Sequence, residues 1–464
     1  MGNRNSKHSR TKGQKEIFAK NNKYEGKNIF KKFGRWFGNL KTWQKVLSIF
    51  LVLVIIAGGT VYGLIHSKLN MMSKVNVDET NLSIVDVDGY ANILLLGVDT
   101  RDMDNIKGSR SDAIMIISIN ENTKDVKLIS VYRDTYLKMG DTTDYDKITH
   151  ACVYGGPEMT VKSLNQAMDL NISKFVVVNF KSVADLVDAV GGIEVEVQDY
   201  EIQQLNKYTI ATANNIGRKK YNLVKKPGTQ TIEGVQAVSY GRIRKGVGDD
   251  YKRTERMRIV LTKVFDKLKT MNVGQLNKVA NMMLPQVQTN LSNNDIIALG
   301  LRLPSYNIGS SVGWPYDVTG GLIGGVSYVI PDNLEANIVK LHAEMFGQPD
   351  YIPSADAISI SNTIKTNISA AKQDNNYVEK APIKIDNNNN SNNKPSTEKP
   401  IVKPETPSEK PKPTPEKPSE KPNEGGDGSG GTDNGDTGGD STGNGDSSGG
   451  GVTDDNNVEP KTGE

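Results

Sequence analysis

Residues 46–66 read "VLSIFLVLVIIAGGTVYGLIH", 21 positions without a charged side chain. A helix of that length rises about 30 Å, the thickness of a bilayer's hydrocarbon core. The run predicts a spanning helix, which divides the chain into one part on each side of a membrane. Residues 1–45 carry thirteen Lys and Arg against two Glu. Because positive charge is retained on the cytoplasmic side, the N-terminus is expected inside and everything after His66 outside. Trp43 and Tyr62 stand near the two ends of the run, where amphipathic rings anchor at the interface. A cleaved signal peptide would have a shorter apolar core ending in a small-residue cleavage site.

The other end of the chain is equally restrictive. From about Lys380 an Asn run leads into "KPSTEKPIVKPETPSEKPKPTPEKPSEKP" and then into Gly, Asp and Ser repeats. Such segments lack the apolar residues needed to offset the entropy of ordering. A semi-extended Pro-rich spacer and a flexible Gly-rich coil are expected there. The chain therefore reads as a basic cytoplasmic segment (1–45), a transmembrane helix (46–66), a stalk (67–89), one folded domain (90–346), an extension (347–379) and a disordered tail (380–464). Cys152 is the only cysteine, so no intramolecular disulfide holds the fold.

Within the domain, "ANILLLGVD", "AIMIISI", "VKLISVY" and "FVVVNF" are short apolar runs that read as buried strands, and "IEVEV" alternates strictly. "TVKSLNQAM" and "SVADLVDAVGG" place apolar residues at helical spacing, the second ending at Gly191. Helices are also expected from Tyr251 onward and over "DNLEANIVKLHAEMF". Strands alternating with helices predict a layered α/β domain with a mixed sheet.

No Cys and His cluster suits zinc, and no Walker-type loop occurs. Asp and Arg instead recur at predicted strand ends: Asp99 and Arg101, Arg110 and Asp112, Arg133 and Asp134. Functional groups in α/β sheets collect at such ends. "YGRIRKGVGDDYKRTERMR", from Tyr240, adds five more arginines. Read as a strand, "VSYGRIR" projects Arg242 and Arg244 to one side; read as a helix start, "YKRTERMRIV" puts Arg253 and Arg256 on one side. Any one pair reads most simply as a structural salt bridge, and the arginine-rich stretch as a solvated basic face. Together they point to a pyrophosphate site, since guanidinium groups bind phosphate oxygens bidentately and one or two Asp with phosphate oxygens can hold a hard divalent ion.

Taken in order, "NILLLGVDTR", "RSDAIMIISIN", "SVYRDTY", "KITHACVYGG", "FVVVNFKSVADLVDAVGGIEVEV" and the arginine-rich stretch resemble the successive motifs of the LytR-CpsA-Psr family, from Asn92 to Phe346. The resemblance implies a three-layer α/β/α domain with a central mixed sheet. It implies transfer of a glycopolymer, with one phosphate, from a polyprenyl-diphosphate carrier to a peptidoglycan hydroxyl. Magnesium, or manganese, would be held through Asp99 and Asp112. The diphosphate would be held by Arg101, Arg110, Arg133, Arg242, Arg244, Arg253 and Arg256, with Lys147 nearby. The base that deprotonates the acceptor is open between Asp99 and Asp134, and His150 reads more simply as a structural hydrogen-bonder. The lipid would need an apolar tunnel. The chain departs from the family's usual pattern at Tyr132 (usually Pro), Thr149 (Asn), Asn179 (Asp) and Met257 (Gln). Two other readings are a lipid pyrophosphatase using water as acceptor and a non-enzymatic envelope protein that binds lipid carriers or anionic polymers.

Overall fold

The computed structural model describes residues 59–380 apart from 61, 101, 104 and 245–248, together with 32 and 35. The expected spanning run lies largely outside the described residues, as does the expected disordered tail beyond 380. Residues 62–69 are helical, and no helix among the described residues is long and apolar enough to cross a membrane.

Fourteen strands are described: β1 (Ser73–Lys74), β2 (Tyr90–Val98), β3 (Ser111–Asn120), β4 (Asp125–Val131), β5 (Tyr136–Lys138), β6 (Tyr145–Lys147), β7 (Lys174–Asn179), β8 (Ile193–Val197), β9 (Gly228–Ile232), β10 (Gln288–Thr289), β11 (Asn307–Trp314), β12 (Val318–Ile323), β13 (Val326–Pro331) and β14 (Tyr377–Lys380). Seven form the central sheet in the order β1-β10-β7-β2-β3-β4-β11. The expected mixed sheet is present. β2 runs parallel to β7 and antiparallel to β3, while β4 is antiparallel to β3 and parallel to β11. "ILLL" is apolar on both faces because β2 lies at the centre, covered above and below.

One face is closed by α1 (Ile148–Met168), α8 (Leu334–Phe346) and α9 (Ala355–Gln373). Leu94, Leu96, Ile114, Ile116 and Ile129 meet Val161, Leu164, Ile338, Leu341 and Ile360 there. The opposite face carries Ile93, Ile119, Val126 and Leu128. Leu261 and Phe265 of α5 (Asp249–Lys269) and Leu299 of α7 (Asn293–Arg302) cover them. Helices on both faces make the domain the expected three-layer α/β/α. A third cluster joins α2 (Phe180–Ala189), α3 (Asp199–Asn215) and α4 (Gly234–Tyr240) to the β8–β9 hairpin and the other side of α5, through Val187, Ile193, Leu205, Ile232, Ala237 and Val260. α6 (Val273–Met283) packs against α2.

Both segments read as flanks of the domain are tied into it. β1 pairs with β10, and Leu82 and Val87 enter the main core. Ala357, Ile360 and Ile364 of α9 enter the same core, and β14 pairs with β12.

"VSYGRIR" is not a strand. Residues 234–240 form α4, and a turn at Gly241 and Arg242 follows. The reason is local and tertiary together. Glu233 and Gln236 form a reciprocal capping box, which satisfies backbone donors at the helix start. Gly234 then lies so close to α2 that a Cβ there would stand 1.9 Å from the Ala184 carbonyl oxygen. Val235, Ala237, Val238 and Tyr240 are all buried, which suits a short core helix rather than one face of a strand.

Candidate active site

Strand directions bring the C-terminal ends of β2, β4, β7 and β11 and the N-terminal end of β3 to one edge of the sheet. Asp99 follows β2, Arg133 and Asp134 follow β4, and Asn179 ends β7. Asp112 is the second residue of β3. Val98 pairs with Ser111 while Gly97 pairs with Ala113, so Asp112 is the extra residue of a bulge. Bulges redirect side chains at sheet rims. This one sets Asp112 beside the strand end that carries Asp99.

The Asp112 carboxylate accepts from Arg133 Nη1. Arg133 Nε lies 3.7 Å from Asp134, whose carboxylate also has Lys147 Nζ at 3.6 Å. From α5, Arg253 Nη2 donates to Asp250 Oδ2 at 3.0 Å, and Asp250 Oδ1 lies 3.7 Å from Arg244 Nε. These two groups face each other. Burial works against the charge on Arg133, but Asp134, Asp112 and Asp250 outweigh it and raise its pKa. Burial lowers the pKa of Arg253, against the pull of Asp250, and Arg133 and Arg244 lower it further. Three arginines and a lysine thus converge with three carboxylates. The Nε atoms of Arg133 and Arg253 are buried without a hydrogen-bond partner among the described residues, the Arg133 atom facing Asp134 at 3.7 Å.

Arg242 occupies a neighbouring position. Its Nη1 donates to Thr212 Oγ1 at 2.7 Å, and its guanidinium lies 4.9 Å from the Phe180 ring centre and 5.4 Å from that of Tyr208. Aromatic faces hold a guanidinium through the ring quadrupole. One helical turn beyond Thr212, Asn215 donates to Asp99 Oδ1 at 3.4 Å. Asp99, Asn179, Phe180 and Asn215 line a cavity of about 230 Å³. Helix α3 therefore connects Arg242 with Asp99.

The remaining expected residues are placed differently. Arg256 is buried, with Nε and Nη2 each 2.7 Å from Glu201 Oε1 and Nη1 3.1 Å from the Ile243 carbonyl. It braces the 241–244 turn. Arg110 is exposed on the loop before β3, near Tyr154, and takes part in no ion pair among the described residues. Arg101 lies outside the described residues.

The four departures from the family pattern each have a local role. Asn179 caps α2 by accepting from Ser182 N at 2.9 Å. Thr149 Oγ1 donates to the Ser111 carbonyl at 2.8 Å, tying α1 to the strand that bears Asp112. Tyr132 is buried edge-on against Tyr251 at 4.5 Å and fills the space beside Gly313, where a Cβ would stand 2.0 Å from its hydroxyl. Met257 packs against Gly241. Sequence reading gave no role to Asp250, which joins Arg244 to Arg253; its spacing of three from Arg253 was the available signal.

Among the described residues no group of three or more His, Cys, Asp or Glu could hold a metal ion. Asp99 and Asp112 supply two carboxylates, the hard-oxygen donor set that magnesium accepts when phosphate oxygens complete its shell.

The strand-end edge of this α/β/α domain thus gathers paired Asp and Arg side chains. The LytR_cpsA_psr family model matches residues 60–344, and the chain belongs to that family. Over 297 residues it is 31% identical to the polyisoprenyl-teichoic acid–peptidoglycan teichoic acid transferase TagT of Bacillus subtilis (strain 168), covering 61% of this chain and 88% of that protein. The transferase TagU of Bacillus cereus (strain AH820) is 33% identical over 230 residues, covering 48% and 69%. A solved structure of TagT with bound octaprenyl pyrophosphate lipid is 26% identical with a TM-score of 0.41, covering 60% and 94%.

Proposed function

We propose that this chain is a membrane-anchored phosphotransferase that moves a glycopolymer from a polyprenyl-diphosphate carrier to a peptidoglycan hydroxyl as a phosphodiester. The observation that carries the reading is the convergence of Arg133, Arg244, Arg253 and Lys147 with Asp112, Asp134 and Asp250 at the sheet edge that also bears Asp99. Relatives that are 31% and 33% identical carry the corresponding teichoic acid transferase names.

Arg133, Arg244 and Arg253 bind the diphosphate oxygens, and Arg242, fixed by Thr212 and two rings, extends the grip toward Asp99. Charge that develops on the leaving phosphate meets donors already in place, the usual logic of phosphoryl transfer. Asp99 and Asp112 would hold magnesium or manganese, which when bound neutralises phosphate charge. Asp134 keeps Arg133 and Lys147 in place, and Arg256 positions the turn bearing Arg242 and Arg244. Arg110 belongs to the loop at the mouth of the site. The lipid would need an apolar path, for which the buried strands and α2 supply the walls. The run at 46–66 anchors the chain with its N-terminus in the cytoplasm and this domain outside, and the tail beyond 380 is a disordered spacer.

The test incubates the full chain in detergent with magnesium and a polyprenyl-diphosphate glycan, with and without a peptidoglycan oligomer, and follows products by mass spectrometry. Glycan phosphate on the oligomer is the expected result. Free glycan phosphate alone would replace the reading with a pyrophosphatase, and intact bound substrate without turnover would replace it with a carrier-binding role.

A further inference from the structure

The proposed transfer needs a group to take the acceptor's proton, and the two carboxylates considered from sequence are poorly placed for it. Asp134 lies between two cations, with Arg133 Nε at 3.7 Å and Lys147 Nζ at 3.6 Å, so its carboxylate is engaged in holding them. Asp99 is assigned to the metal. A third group lies at the same edge. His150, in the first turn of α1, has Nδ1 2.7 Å from Asp146 Oδ2.

The Asp146 carboxylate is itself fixed. It accepts from Tyr154 Oη at 2.7 Å, from Tyr328 Oη at 3.3 Å and from the Lys147 backbone at 2.7 Å. An ionised carboxylate only accepts, so neutral His150 carries its proton on Nδ1 and presents Nε2 as an acceptor. Burial would push Asp146 up, but the bonds from Tyr154, His150 and Lys147 outweigh it and hold its carboxyl below its ordinary value. The His150 side chain is 22% exposed, so the ring is open to solvent.

The start of α1 is bolted to the anion site on three sides. Thr149 N donates to the Arg133 carbonyl at 3.0 Å, and Ile148 N to the Thr135 carbonyl at 2.9 Å. Thr149 Oγ1 donates to the Ser111 carbonyl next to Asp112. His150 therefore shares a rigid frame with both Arg133 and Asp112.

Resting on the transferase reading above, we infer that His150 is the general base, with Asp146 fixing its tautomer and balancing the imidazolium that forms. Nε2 takes the acceptor hydroxyl's proton as the new oxygen–phosphorus bond forms. The bond from that phosphorus to the bridging oxygen breaks, and the oxygen leaves with its electron pair as polyprenyl phosphate. The imidazolium returns its proton to solvent. The charged and titratable groups around His150 are Asp146 and Lys147 of β6, Asp144 before it, Tyr154 of α1, Tyr328 of β13 and Arg110 of the β2–β3 loop.

The full chain in detergent, supplied with magnesium, lipid substrate and peptidoglycan oligomer, is compared with His150→Ala, His150→Gln and Asp146→Asn. A general base contributes about a hundredfold or more, so kcat for His150→Ala should fall by about that factor with unchanged affinity for polyprenyl diphosphate. The acid limb of the pH–rate profile should disappear, and added imidazole should restore turnover to His150→Ala. His150→Gln, melting as the wild type does, should stay inactive. A His150→Ala protein that keeps the wild-type rate and acid limb overturns the inference while leaving the transferase reading intact. Loss of lipid binding without imidazole rescue overturns it as well, by making His150 structural. No transfer by the wild type would instead remove the transferase reading on which it rests.

Discussion

Arg256→Met should unfold the domain more readily while touching the diphosphate only indirectly. Arg256 and Glu201 have side chains 5% and 3% exposed, and two guanidinium nitrogens reach one Glu201 oxygen at 2.7 Å. Removing the arginine leaves a buried carboxylate whose other oxygen accepts only from Gln198 N, at 2.9 Å. Breaking a buried pair in this way costs about 3–5 kcal/mol. Against a total stability of about 5–15 kcal/mol, that is a large share. Replacing both partners, as Arg256→Met with Glu201→Gln, removes the stranded charge and keeps a side chain able to close the capping box at Gln198. Most of the loss should return, so the double-mutant cycle should show strong coupling. Urea unfolding followed through buried Trp314 measures it. A single variant that loses less than about 1 kcal/mol, as exposed pairs do, would refute the bracing role. Binding of polyprenyl diphosphate gives the second check, and the double variant should retain far more affinity than Arg253→Ala.

On the proposed reading Arg133→Ala removes an anion ligand and frees the carboxylates of Asp112 and Asp134, so transfer should fall by about a hundredfold or more while folding persists; a variant with undiminished product would contradict the site. Gly234→Ala puts a methyl group 1.9 Å from the Ala184 carbonyl oxygen, and the helix separation it forces should cost about 1–3 kcal/mol in thermal unfolding. Burial pushes the Cys152 thiol up to about 12, so it stays protonated and native protein at pH 8 should not react with thiol reagents until unfolded. Because the folded value is the raised one, this group's stabilising contribution is complete below the unfolded value of about 8.5 and is lost as pH climbs toward the folded one. Rapid labelling of the folded protein would show the packing around Cys152 to be wrong.

Much of the domain is readable along the chain. The apolar runs that became β2, β3, β4 and β7, and the helical spacing of α1 and α2, are local patterns that burial on a sheet enforces. The gathering of Asp and Arg at strand ends was likewise legible, because loops after parallel strands collect at one edge. Reading failed at "VSYGRIR", where alternation suggested a strand and a capping box with a glycine-tight helix contact made α4 instead. Arg253 and Arg256 share spacing and chemistry but not fate, since one meets Asp250 and the other Glu201.

By itself, the sequence determined which segments have enough apolar surface to fold, which strands lie at the centre of a sheet, and which charged groups were available to handle a phosphate. Those properties follow from composition and short-range periodicity. Only the tertiary structure decided partnership. Asp112 meets Arg133 through a bulge and the β3–β4 hairpin, Asp250 comes from α5 to face both, and Asp146 aligns His150 beside them. Charge–charge interaction weakens with distance and strengthens with burial, so the role of each arginine depended on where topology placed its nearest carboxylate.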